Sequence, residues 1–212
     1  MFNYKKLLST PLSDLKFSVI DTETTGMHSR FNRVIDIGVV DVEYKKITET
    51  WESLVDPEQD IPFWITQFTS LSNKHVEGKP KFNEVEKIVS RKIENRIIVG
   101  HNVGFDYAFL KHEYLRLGKG FDHPRLCTVL LGHRFVPELP HFHLDSLSDY
   151  FGLVIENRHR ALPDALATAQ IFIEFLDQAE KEYGCKTFFD LEKLQKGRSI
   201  SGGDKITEPM FE

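Results

Sequence analysis

Apolar and β-branched positions come in short blocks along this chain, and the blocks predict strands before they predict helices. Residues 16–20 (KFSVI), 33–42 (RVIDIGVVDV) and 47–55 (ITETWESLV) each read as a strand. A polar turn at 43–46 (EYKK) separates the last two, so the three are expected to pair as an antiparallel meander. Residues 56–58 (DPE) close the third strand. Residues 60–82 read as irregular, with Pro62, Pro80 and several Ser, Thr and Asn residues. Asn83 is expected to cap a helix over 84–93. Residues 96–100 (RIIVG) are a fourth strand of the buried kind. From 105 to 117, apolar residues at 105, 109, 110 and 117 follow one helix face, and Gly118 stops it. Residues 124–131 fit a strand feeding a helix, and 144–151 a short helix ended by Gly152. Pro163 is expected to open a last helix running to about Tyr183, with Gly184 after it. This order of elements implies an α/β domain with a mixed sheet and helices packed on its faces.

The chain has 212 residues, room for one well-buried domain. With 41% apolar and 28% charged residues it reads as soluble and globular. No apolar run of about 18 residues predicts a membrane span. The opening MFNYKKLLSTPLSDLK lacks the apolar core and cleavage site of a secretory signal. Cys127 and Cys185 stand in no metal or redox spacing. A cytoplasmic, disulfide-free protein is expected. Residues 1–15 read as an N-terminal extension and 16–194 as the domain. Residues 195–212, polar and glycine-rich, read as a flexible tail. The net charge of −5 argues against extensive neutralisation of phosphates. It suits a small footprint such as a strand end.

Chemistry concentrates in three segments. Asp21 and Glu23 stand two apart where the first strand ends, so they face the same way. Asp106 follows the fourth strand where a helix begins. His159 and Asp164 flank the start of the last helix. Each has a plain structural explanation alone: a polar turn, a first-turn acid worth about 0.5–2 kcal/mol, a solvated loop histidine. Together they are equipment for metal-assisted phosphodiester hydrolysis. Four carboxylates can hold two divalent cations, and a histidine can take a proton from water. Gly26 lets backbone approach a ligand. Phe105, Phe63, Trp64 and Phe68 can stack on bases or pack in the core. His133, His141 and His143 cluster without a cysteine or carboxylate partner at regular spacing, which is poor support for zinc.

The segments FSVIDTETTG, GHNVGFDYAFL and HRALPDALATA resemble the three exonuclease motifs of the DEDDh branch of the DnaQ-like 3′–5′ exonucleases. That family includes the proofreading subunits and domains of bacterial replicative polymerases. The resemblance covers roughly residues 16–180. It implies a ribonuclease-H-like fold, a mixed five-stranded sheet flanked by helices. It also implies a first metal on Asp21, Glu23 and Asp164, and a second bridged by Asp21 with help from Asp106. His159 would be the general base, and Thr24, Thr25 and Gly26 would touch the terminal nucleotide. Mg²⁺ fits such an all-oxygen site, with Mn²⁺ as substitute. The implied partners are nucleic-acid 3′ ends, DNA favoured over RNA, and a DNA polymerase subunit. Pro163 and the 62–80 stretch depart from the family pattern. Two alternatives use the same scaffold: an enzyme that trims RNA 3′ ends or degrades oligonucleotides, and a non-catalytic polymerase accessory subunit. All five implied catalytic residues are present, against the second.

Overall fold

The computed structural model describes residues 4–197. β1 (Lys16–Thr24), β2 (Val34–Glu43) and β3 (Lys46–Leu54) pair antiparallel as the expected meander. β4 (Ile97–Gly100) lies parallel to β1, and β5 (Arg125–Cys127) parallel to β4. The sheet is therefore mixed and five-stranded, in the order β3-β2-β1-β4-β5. β2 is buried from Val34 to Val42, on both faces, as its nearly unbroken apolar run requires.

Strand alternation sorts the core into two layers. Phe17, Val19, Val40, Val42 and Val99 face α8 (Ala161–Tyr183), with α6 (Thr128–Phe135) and α7 (Leu144–Tyr150) on the same side. Ile20, Ile37, Val39 and Ile98 face α4 (Phe82–Ile93) and α5 (Gly104–Arg116). A small third cluster joins Ile35 to Ile61, Ile65, Leu71 and Val76. The last four lie in and around α2 (Phe63–Thr69) and α3 (Asn73–Val76).

Those two short helices correct the irregular reading of 60–82. Pro62 is the residue before the first turn of α2, where a missing N–H does no harm. α4 begins at Phe82 rather than after an Asn83 cap, because Glu84 Oε2 reaches back 2.7 Å to the amide of Lys81. α8 begins two residues before Pro163, whose ring falls in the first turn, where amides have no intrahelical acceptor. A further helix, α9 (Phe188–Gln195), is capped by Thr187 with Asp190. Residues 4–15 pack on it: α1 (Tyr4–Leu8) and the turn after it bury Leu7, Leu12 and Leu15 in the core with Phe188, Leu191 and Leu194. Beyond Gly197 the expected tail lies outside the described residues. Among the described residues no helix is long and apolar enough to cross a membrane.

One contact places the site. Gly38 on β2 sits opposite Asp21 on β1. A Cβ there would lie 2.5 Å from the backbone of Ala161 and Leu162. The missing side chain lets the first turn of α8 lie directly on the sheet beside the end of β1.

Candidate active site

Three elements deliver the carboxylates. Asp21 and Glu23 project from the end of β1 on the face that carries Phe17 and Val19, toward α8. Asp106 sits in the first turn of α5 and Asp164 in the first turn of α8. All four line one cleft of about 500 Å³, together with His159, Thr24 and Phe105. Met27, Trp64 and Phe68 form its apolar side. Glu23, His159 and Asp164 come closest, with one potential ligand atom from each within 4.8 Å of the others. Asp164 Oδ1 is buried and has no hydrogen-bond partner among the described residues. A cation there would satisfy it.

Two of the acids, Asp106 and Asp164, are held by specific partners. Asp106 Oδ1 accepts from the amide and hydroxyl of Thr22 at 2.9 and 2.7 Å. Thr22 faces the α5 layer because it alternates with Asp21 and Glu23. Asp164 Oδ2 accepts from the His159 amide at 3.2 Å and pairs with Arg158. Arg158 also donates from Nε to Asp145 Oδ1 at 2.7 Å. His159 has a left-handed backbone, φ 64°, and its ring lies 4.1 Å from that of Phe68, centroid to centroid. The turn before α8 is tied to the sheet by Asp36, whose Oδ2 accepts from Arg160 Nε at 2.7 Å and from the Ala161 amide at 3.3 Å.

Burial shifts every one of the four acids upward, and the crowding of like charges adds to it at Asp21 and Glu23. Asp21 is raised well above the usual carboxylate range, by burial first and then by Asp106, Glu23 and Asp164. Glu23 is pushed to about 8 by burial and Asp164. Asp106 goes to about 7 by burial, against the Thr22 hydrogen bonds. Asp164 goes to about 6 by burial, against the pull of Arg158. Burial, then Arg158, lowers the His159 imidazole. Such a cluster favours a bound cation over four ionised acids held together without one.

Thr25 and Gly26 do not line the cleft. Thr25 is buried behind it; its hydroxyl accepts from the Arg33 amide at 2.9 Å and from Gln59. Gly26 is buried against Asn32, whose Oδ1 would be 2.7 Å from an added Cβ. Both shape the turn that carries Met27 into the cleft. Sequence reasoning missed Asp36 and Arg158. An aspartate inside the apolar run of β2 was the available signal for Asp36, since a buried charge needs a partner. Arg158 has none: its two acids come from different helices.

The family model described as "Exonuclease" matches residues 18–172. DNA polymerase III subunit epsilon of Aquifex aeolicus is 37% identical over 188 residues, which cover 88% of this chain and 93% of that protein. The PolC-type DNA polymerase III of Clostridium perfringens is 35% identical over 158 residues. There the match spans 74% of this chain but only 11% of the relative's length. Among solved structures, Exonuclease X in complex with 5′ overhanging duplex DNA shares the fold, with a TM-score of 0.67. It is 23% identical, and the match covers 84% of this chain and 99% of that one. Exonucleases of this kind depend on divalent metal, and the acidic cleft fits that need. With three quarters of its length matched by the family model and a near full-length relative, the chain belongs to the exonuclease family.

Proposed function

We propose that this protein is a 3′–5′ exonuclease that removes nucleoside 5′-monophosphates from single-stranded or frayed DNA ends. One observation carries the reading: Asp21, Glu23, Asp106, Asp164 and His159, from three separate segments, meet in one cleft with an unsatisfied carboxylate oxygen at its floor. Oxygen donors in this number suit Mg²⁺, with Mn²⁺ as substitute. Asp21, Glu23 and Asp164 would hold one ion, and Asp21 with Asp106 a second. Bound there, the ions would supply positive charge to the scissile phosphate and the leaving 3′ oxygen.

The residues themselves divide the remaining work. His159 accepts a proton from the attacking water; its lowered pKa keeps the ring neutral near pH 7. Phe68 packs against that ring at a tilt of 40° and limits its orientation. Met27, Trp64, Phe68 and Phe105 offer apolar surface to the terminal base. The backbone hydrogen bond from His159 to Asp164 fixes base and ligand to each other. The named polymerase relatives support a proofreading role beside a DNA polymerase. Both cysteines are buried free thiols, which suits the proposed cytoplasmic location.

A 5′-labelled strand incubated with Mg²⁺ should give a ladder of shortening products, and chelator should abolish it. Full activity in chelator, or early release of the 5′ label, contradicts the proposal. RNA degraded in preference to DNA would favour the RNA-trimming reading.

A further inference from the structure

The loop 136–143, between α6 and α7, borders a second cavity of about 580 Å³, within the ~300–1,000 Å³ range of small-ligand sites. Its polar wall is His101, Asn102, His133, His141, His143 and Arg158. His101, Asn102, Leu144 and Arg158 also line the catalytic cleft, so the two spaces adjoin along one wall. The three loop-region histidines do not form a ligand-spaced group; among the described residues that group is Glu23, His159 and Asp164. Metal binding therefore leaves them unexplained.

The cavity is held in shape by packing. Gly132 on α6 admits the Phe142 ring, which would lie 2.9 Å from an added Cβ. The His133 ring packs on Phe142 at 3.9 Å between centroids. His141 and His143 stack at 5.8 Å and 29°. The His101 ring meets Thr128 Oγ1 at 3.0 Å. Among the described residues no carboxylate lines this cavity; the nearby Asp145 is bonded to Arg158. The catalytic cleft, by contrast, has an acidic floor and an apolar side. A strand end bound there puts its scissile phosphate at the acids and its last base on the apolar side. The rest of the strand then needs N–H donors and ring faces away from negative charge.

Resting on the proposed nuclease function, we infer that the histidine-lined cavity is the subsite for the next nucleotide of the retained strand. Its phosphodiester would lie within reach of Arg158 and its base against the His141 and His143 rings. Ring faces accept any base, so the subsite would be indifferent to sequence.

The test uses the full chain and the His141→Ala/His143→Ala double variant, neither residue being in the catalytic cleft. One substrate is the p-nitrophenyl ester of thymidine 5′-monophosphate, which has no retained strand. The other is a DNA hexanucleotide. Ester hydrolysis should stay within about twofold of wild type, while KM for the hexanucleotide rises roughly tenfold at similar kcat. An unchanged hexanucleotide KM, or an equal loss on both substrates, overturns the subsite. Equilibrium binding of a fluorescent phosphorothioate hexanucleotide in Ca²⁺ gives a readout independent of turnover. Binding weakened roughly tenfold in the double variant supports the subsite even if the wild type cuts nothing. Unchanged binding removes it even if the nuclease reading stands.

Discussion

At the scale of single residues, His159 and Asp21 make separable contributions. A general base contributes about 10²–10⁴ in rate and need hold no metal. His159→Ala should lose kcat by that order while Mg²⁺ affinity, read by calorimetry, changes little. Asp21→Ala should lose the metal itself. A large drop in metal affinity for His159→Ala would make the imidazole a ligand instead, which its closeness to Glu23 and Asp164 makes a sharp question. For the wild type, activity should rise with pH as the imidazole loses its proton. The midpoint of that limb should lie below the ordinary histidine value near 6.5, because burial and Arg158 lower it. Arg158 bears on the metal differently. Its guanidinium is a tethered cation on Asp164 and therefore competes with Mg²⁺. Arg158→Ala should tighten Mg²⁺ binding several-fold in the same calorimetric titration; weaker binding would contradict the competition. The motif acids and the histidine were legible in sequence because they sit at strand ends and helix starts. Arg158 was not, since Asp145 and Asp164 come together around it only after α7 and α8 dock.

At the scale of elements, the decisive joint is β2 against α8. Their contact at Gly38 sets the height of the helix that carries Asp164 and of the turn that carries His159. Gly38→Ala forces backbone apart, and overpacking of that kind costs about 1–3 kcal/mol. Thermal melts should show the loss, and activity should fall further than stability predicts, because the site is displaced along with the helix. A variant with lower Tm and wild-type kcat would mean that the joint supports the fold alone. The strands and long helices could be read from periodicity: alternation in β1, the buried run of β2, the helical spacing in α5. α2 could not. Its apolar residues divide between a buried set, Ile65 with Ile61 and Leu71, and an exposed set, Phe63, Trp64 and Phe68. Neither gives a clean period in seven residues flanked by Pro62 and Ser70. The exposed set is where function shows: Trp64 and Phe68 face the cleft. α9 escaped for another reason, since its partners lie far off in sequence: α6 and β5, and α1 nearly the whole chain away, where Tyr4 Oη donates to Glu192 at 2.6 Å.

At the scale of the whole molecule, folding gathers four acids that the unfolded chain keeps apart, and the stability of the protein must register it. In the folded state Asp164, Asp106 and Glu23 are pushed to about 6, about 7 and about 8. Unfolded, each would titrate near its ordinary value of about 4. The native state therefore binds more protons than the unfolded one between about pH 4 and pH 8. The contribution of these groups is present at acidic pH and is lost as pH rises through their folded values. A divalent cation reverses the sign, because it favours the ionised acids and binds only where they are assembled. At a concentration 100 times its Kd, a ligand that binds only the folded state adds about 2.7 kcal/mol. For a chain of this size that is roughly 5–10 °C in Tm. Calorimetric melts in chelator and in Mg²⁺, at pH 6 and at pH 8, would measure the effect. Mg²⁺ should raise Tm at both, and by more at pH 8, where fewer protons compete for the carboxylates. Glu23→Gln should reduce the pH-dependent part of that shift, since the group pushed to about 8 no longer titrates. An equal Mg²⁺ shift at both pH values would mean that the four acids do not act as one charged cluster, and the two-metal assignment would fail with it.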